Sequence, residues 1–222
     1  MKILIVSGFL GAGKTTFIKR LARNVDQRFA ILENEYGAAG IDGARLGQNR
    51  QGTQKNVWEM TEQCICCIGK KDFAASVLTI ANVVDPEYLI VEPTGVGSLA
   101  RIIENLRQIE YERIQLLSPV TIVDVYSYRR YMAEYPELYQ DQIRSADTII
   151  VSKTEACQAE EKQRIQKFLQ EINPQAKIIT DYASTMTRED YQSLLLGGRY
   201  EKEVQDTQSG EKMPEKSEAK RS

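Results

Sequence analysis

Short apolar runs recur along the chain: Ile3-Leu4-Ile5-Val6, Phe29-Ala30-Ile31-Leu32, Tyr88-Leu89-Ile90-Val91, Pro119-Val120-Thr121-Ile122-Val123, Thr148-Ile149-Ile150-Val151 and Lys177-Ile178-Ile179-Thr180. They are continuous rather than alternating and are bounded by polar or glycine-rich residues, which predicts strands covered on both faces. Between them apolar residues fall at helical spacing, over 16–22, 72–82, 98–108 and 159–172, and over 125–145 with a break at Pro136. Residues 57–60 read as a short extended piece. Thr187 with Asp190 fits a capping box before a last helix over 191–196. Strands and helices alternate throughout. That predicts an α/β domain with a mainly parallel sheet, helices on both faces, and ligand groups gathered at the carboxyl ends of the strands.

Two stretches lack any period. Residues 38–56 are rich in Gly, Gln and Asn and read as a long loop of the kind that is functional or mobile. Residues 199–222 are dominated by Lys, Glu, Gln and Ser and read as a disordered charged tail, because they bury too little to offset ordering entropy. Residues 1–198 are therefore expected to form one domain, and a 222-residue chain is long enough for a sizeable core. A net charge of −2 offers no basic field for nucleic acid or an anionic membrane, and no apolar run reaches membrane-spanning length. The opening strand leaves no room for a signal peptide, so a cytoplasmic protein is expected.

The candidate chemistry begins at Gly8-Phe9-Leu10-Gly11-Ala12-Gly13-Lys14-Thr15, which satisfies G-x-x-x-x-G-K-[ST] between a strand and a helix. Glycines let successive N–H groups converge on a phosphate, and the helix N-terminus adds its positive end. Lys14 would reach the β/γ-phosphates and the Thr15 hydroxyl would complete a Mg²⁺ shell. A plain glycine turn would not require Lys-Thr at this place. A nucleotide site is expected. Glu92 closes a strand beside this loop and would hold Mg²⁺ directly or through water.

Three of the four cysteines sit in Cys64-Ile65-Cys66-Cys67, and the chain has no histidine. In a reduced compartment such a cluster points to metal or redox chemistry, and thiolates select soft or borderline ions such as Zn²⁺, Cu(I) or Co²⁺. Three-thiolate binding needs a turn at Cys66–Cys67, which Gly69 would permit. Lys70 and Lys71 would favour the thiolates. Cys157 is a further ligand candidate or, more simply, a small residue at a helix start. Trp58 and the tyrosines of 126–139 read as core or partner surface.

Together, Gly8–Thr15, Asn34-Glu35-Tyr36-Gly37, Cys64-Ile65-Cys66-Cys67, Glu92-Pro93-Thr94-Gly95 and Ser152-Lys153-Thr154-Glu155 resemble the CobW-like P-loop GTPases over about residues 1–183. The resemblance implies a SIMIBI-like GTPase domain. Its nucleotide contacts would be Gly8, Gly11, Ala12, Gly13, Lys14, Thr15, Thr16, Gly95, Ser152, Lys153 and Glu155. It implies catalytic roles for Lys14, Glu35 and Glu92, with Glu35 or Asp42 positioning Mg²⁺ or the attacking water. It also implies a transition metal on Cys64, Cys66 and Cys67, Zn²⁺ first with Co²⁺ or Ni²⁺ beside it. The implied activity is slow GTP hydrolysis to GDP and phosphate, coupled to metal delivery to a client protein. The alternatives are a chaperone for assembly of a cobalamin- or corrinoid-dependent enzyme, and a nucleotide-binding metal sensor without turnover. Dimerisation is common in that class. Ser152 and Glu155 stand where related GTPases carry Asn and Asp. Ser152 is expected to lose the amide that braces the loop, which weakens guanine preference. The second, C-terminal domain and the histidine-rich stretches common in the family have no counterpart in this sequence.

Overall fold

The structure, a computed structural model, describes residues 1–33, 57–61 and 70–197. Glu35, Asp42, Cys64, Cys66 and Cys67, the 38–56 loop and the 199–222 tail lie outside the described residues.

Eight described strands form one sheet: β1 (Lys2–Gly8), β2 (Phe29–Glu33), β3 (Val57–Thr61), β4 (Tyr88–Glu92), β5 (Gln115–Leu116), β6 (Val120–Asp124), β7 (Thr148–Ser152) and β8 (Lys177–Ile179). Their order is β3-β2-β4-β1-β6-β7-β8, with β5 beside β1, and every strand pairing is parallel. The described helices are α1 (Lys14–Asn24), α2 (Lys70–Val83), α3 (Leu99–Arg107), α4 (Tyr128–Glu134), α5 (Pro136–Arg144), α6 (Ala159–Ile172), α7 (Tyr182–Thr185) and α8 (Arg188–Leu196).

The two-residue period of a strand distributes one apolar run to two cores. In β1, Leu4 and Val6 join Phe17, Ile18 and Leu21 of α1 and Tyr191 and Leu195 of α8. Ile3 and Ile5 point the other way, to Val77 and Ile80 of α2 and to Leu99, Ile103 and Leu106 of α3. Farther across the same sheet, Val123, Ile149 and Val151 pack with Tyr128 of α4, Tyr139 and Ile143 of α5, and Ile165 and Leu169 of α6. Each large apolar side chain removed from water in this way contributes about 1.5–3 kcal/mol, so a polar residue on either face of these strands would be costly.

Three local features depart from the sequence expectation. Helix α1 begins at Lys14 rather than at 16, because Gly13 takes φ 99° and serves as its N-cap. Strand β5 has no counterpart in the expected elements, since two residues are too short to show a period. It pairs with Lys2 and Ile3, and β6 then takes the same edge of β1 from Val6 to Gly8. Between them lies Pro119, which has no N–H to give a ladder. Its carbonyl instead accepts from Asp147 and Thr148 at 3.1 and 3.3 Å. The four-residue α7 was likewise absent from the pattern.

Candidate functional site

The central strands β4, β1, β6 and β7 end side by side, and their carboxyl ends carry the phosphate loop and its neighbours. The loop leaves β1 at Gly8, with φ 142°. A Cβ there would lie 2.4 Å from the carbonyl oxygen of Ile122 in β6, so a side chain would break the sheet contact at this position. The loop is folded on itself by the Ala12 amide donating to the Phe9 carbonyl at 3.1 Å.

Two side chains fix its outer curve. Phe9 turns inward among Tyr131, Tyr139 and Tyr135, at ring-centroid distances of 4.6, 5.1 and 5.8 Å. Tyr131 also donates its hydroxyl to the Leu10 carbonyl at 3.0 Å. The tyrosines of α4 and α5 therefore hold the phosphate loop. Burial drives the Tyr139 phenol far above its ordinary value, helped by the charge of Asp124, so this ring adds no anion beside the loop.

Lys14 is buried across the loop, its Nζ donating to the carbonyls of Gly8 and Phe9 at 3.0 and 3.4 Å. Next to it, the Thr15 hydroxyl donates to both carboxylate oxygens of Glu92, at 2.9 and 3.2 Å. The structure thus brings together Lys14, Thr15 and Glu92, the last two being 77 residues apart in sequence. Hydroxyl and carboxylate give an all-oxygen donor pair, the kind a hard divalent cation such as Mg²⁺ takes. Thr16 is exposed on the first turn of α1. Glu33 and Thr61 end β2 and β3 in register with each other and with Glu92, at the same sheet edge.

The segment after Glu92 closes a turn, the Gly97 amide donating to the Thr94 carbonyl at 3.0 Å. Gly95 of that turn lies against the phosphate loop, where an added Cβ would be 2.3 Å from the Leu10 nitrogen. Behind it, Gln142 of α5 donates from Nε2 to the carbonyls of Gly95 and Gly97, at 3.2 and 2.9 Å. The preceding residue, Asp141, accepts from the Leu99 amide at 2.7 Å and caps α3. Burial raises the Asp141 carboxyl against those hydrogen bonds.

The far wall is the 152–155 segment. Ser152 donates its hydroxyl to the Ala12 carbonyl at 2.6 Å, which ties this segment to the phosphate loop. Lys153 adopts φ 60° and places Nζ 2.7 Å from the Asp124 carboxylate, which also accepts from the Tyr126 amide. Thr154 is buried and Glu155 is exposed. Asp181 takes Lys162 at 2.6 Å, and that bond, with a second from the Thr154 side chain, holds its carboxyl below the ordinary range. Cys157 is half-buried against the core under α4–α6, its amide donating to the Thr154 carbonyl.

Asp124, Asp141, Gln142, Tyr131 and Asp181 were not among the expected site residues. Only Asp124 carried a signal, a carboxylate at the end of a buried strand. Among the described residues no group of three or more Cys, Asp or Glu is placed to hold a metal ion, and no helix is long and apolar enough to cross a membrane.

The sequence matches the family described as CobW/HypB/UreG, nucleotide-binding domain, over residues 2–180. The chain belongs to this family. Among relatives of the CobW/HypB/UreG domain, it is 30% identical over 178 residues to the zinc chaperone YeiR of Escherichia coli, covering 79% of this chain and 53% of that one. The chain spans about half the length of the curated relatives it matches. In fold it is similar to the Zn(II)-bound YjiA GTPase from E. coli, with a TM-score of 0.61 at 19% identity, covering 91% of this chain and 66% of that one. It is also similar to the hydrogenase maturation factor HypB from Archaeoglobus fulgidus, with a TM-score of 0.59 at 19% identity and coverages of 88% and 89%.

Proposed function

We propose that this CobW/HypB/UreG domain binds GTP with Mg²⁺, hydrolyses it slowly on its own, and uses the cycle to hand a transition metal ion to a client protein in the cytoplasm. The observation that carries the reading is the pairing of Thr15 with Glu92 beneath a glycine loop that Lys14 spans. Its support in the family is the zinc-chaperone naming of relatives such as YeiR.

The loop amides and Lys14 would take the charge of the β/γ-phosphates, so that their work is positioning and electrostatic stabilisation with water as nucleophile. Mg²⁺ would sit with Thr15 and Glu92 and, when bound, neutralise charge on the phosphate oxygens. Gly95 would offer its amide to the γ-phosphate. The 152–155 segment would receive guanine, with Glu155 supplying the carboxylate and the Lys153 stem lying along the base, held by Asp124. Zinc is the first candidate for the cargo, on Cys64, Cys66 and Cys67, and a nucleotide-dependent homodimer is the expected assembly.

The test is GTP turnover in Mg²⁺ by the purified chain and by Glu92→Gln, together with zinc titration of reduced, chelator-treated protein in GDP and in a non-hydrolysable GTP analogue. The reading expects turnover that Glu92→Gln reduces by about 10²-fold, and zinc affinity that differs between nucleotides and is lost in Cys66→Ser. Zinc binding that ignores nucleotide would sink the coupling, and turnover untouched by Glu92→Gln would sink the Mg²⁺ assignment.

A further inference from the structure

Gln142 belongs to no sequence motif, yet it is a fully buried polar side chain. Its amide nitrogen donates to two carbonyls of one turn, those of Gly95 and Gly97. The amide oxygen, Oε1, is buried with no hydrogen-bond partner among the described residues. Its backbone carbonyl is held by the Thr121 hydroxyl of β6 at 2.9 Å, so the origin of the side chain is tied to the sheet. The same helix touches the phosphate loop through Tyr139 on Phe9, and the start of α3 through Asp141 on the Leu99 amide.

Burying an amide with one atom unpaired is unfavourable, and an apolar side chain of the same size would avoid that cost only by taking this donor from two carbonyls. What the amide adds is orientation. Holding the carbonyls of Gly95 and Gly97 fixes the peptide planes that follow these two residues. Among the described residues the amide is oriented by its two bonds to that turn, so turn and amide reorient together.

We infer that Gln142 is a positioning residue that sets the Thr94–Gly97 turn for the γ-phosphate, so that it governs the discrimination between GTP and GDP rather than nucleotide binding in general. This rests on the nucleotide reading above. A turn already fixed from behind loses less conformational freedom when the terminal phosphate engages it, and a diphosphate does not draw on it at all.

The experiment measures the affinity of the full chain for GDP and for GTPγS, and GTP turnover, in wild type and Gln142→Leu. The expected result is a loss of about ten-fold in GTPγS affinity and in kcat, with GDP affinity within about two-fold of wild type. Equal loss for both nucleotides, no change, or tighter GTPγS binding would each overturn the assignment. Wild-type protein that binds neither nucleotide would remove the nucleotide reading itself, and this inference with it, a result distinct from any of those. Should Gln142→Leu fail to fold, hydrogen exchange on the unaltered chain decides. Peptides spanning 94–98 and 140–146 are expected to gain protection together when GTPγS replaces GDP, and protection of the first without the second refutes the link.

Discussion

Replacing Gly95 by Ala probes the contact on which the site closes. The three atoms nearest an added Cβ are the Leu10 nitrogen at 2.3 Å, the Leu10 Cα at 2.8 Å and the Phe9 carbonyl carbon at 2.9 Å. All three are backbone, so no rotamer change relieves the overlap. Ordinary contact begins near 3.4 Å, and the turn and the phosphate loop must part by about 1 Å. Neither is free to drift. The turn is pinned by Gln142, and the loop by Ser152 on Ala12 and by the tyrosines around Phe9. Overpacking of this kind costs about 1–3 kcal/mol, and each kcal/mol lowers Tm by roughly 2–4 °C in a domain of this size.

The effect on chemistry should be larger than the effect on stability, because a misplacement of about 1 Å at a reacting group costs on the order of 10² in rate. Gly11→Ala is the matched comparison. Gly11 has φ 73°, so alanine there is strained by about 1–2 kcal/mol. An added Cβ at that position meets nothing within 4 Å, so no separation of the two loops follows. Thermal melting and single-turnover GTP hydrolysis on both variants separate the two terms. Gly95→Ala is expected to lose about 10²-fold in turnover while still binding GDP, and Gly11→Ala, which leaves the two loops in contact, to lose less turnover than Gly95→Ala. If Gly95→Ala turned over GTP at the wild-type rate, the contact with Leu10 would not be part of the working site.

Two further substitutions test the far wall. Ser152→Ala leaves the buried Ala12 carbonyl without its donor, and is expected to cost about 1–3 kcal/mol by thermal melting and to weaken GDP binding. An unchanged Tm and GDP affinity would show that the hydroxyl does not brace the loop. Lys162→Met removes the partner that holds Asp181 below the ordinary carboxylate range. A depressed folded-state pKa gives stability that is complete above the unfolded value and fades as pH falls through the folded one. The variant should therefore lose stability relative to wild type at neutral pH, with the difference closing in acid, and the Asp181 carboxyl should titrate at higher pH by NMR. A difference that persists in strong acid would place the effect in packing instead.

Much of this architecture is readable from residues because the physics behind it is local. Runs such as Ile3–Val6 and Thr148–Val151 had to be strands covered on both faces, and Gly8, Gly11 and Gly13 all occupy positive φ. Thr15 and Glu92 could be anticipated as partners because each lies in a motif with a phosphate-site role. The Thr187–Asp190 capping box forms as its spacing requires. What stayed hidden depends on topology. Ser152 and Ala12 are 140 residues apart, and a serine ending a strand has no signature that distinguishes a brace from a surface hydroxyl. Lysine is not a residue type that announces a left-handed backbone, so the Lys153 conformation became visible only with Asp124 beside it.

The tyrosine helices show why the hidden part matters for function. As sequence, Tyr131, Tyr135 and Tyr139 form an aromatic stretch with no assigned job. The sheet order places β6 next to β1, and the chain leaving β6 then enters α4 and α5 over the phosphate loop. Phe9 fills the space among the three rings, and Gln142 of α5 holds the turn whose Gly95 lies against that loop. The phosphate loop is thereby held at Phe9 by aromatic packing, at Leu10 by a tyrosine hydroxyl and by the contact of Gly95, and at Ala12 by Ser152. Three of these fixed points, the aromatic packing at Phe9, the Tyr131 hydroxyl and the Gly95 turn held by Gln142, lead back to the same short helical pair. A change in the turn is felt at that pair, and the loop cannot move without disturbing it. The parallel strand order β4-β1-β6-β7 is what makes that coupling available to a sequence whose motifs, taken singly, specify only a place to bind phosphate.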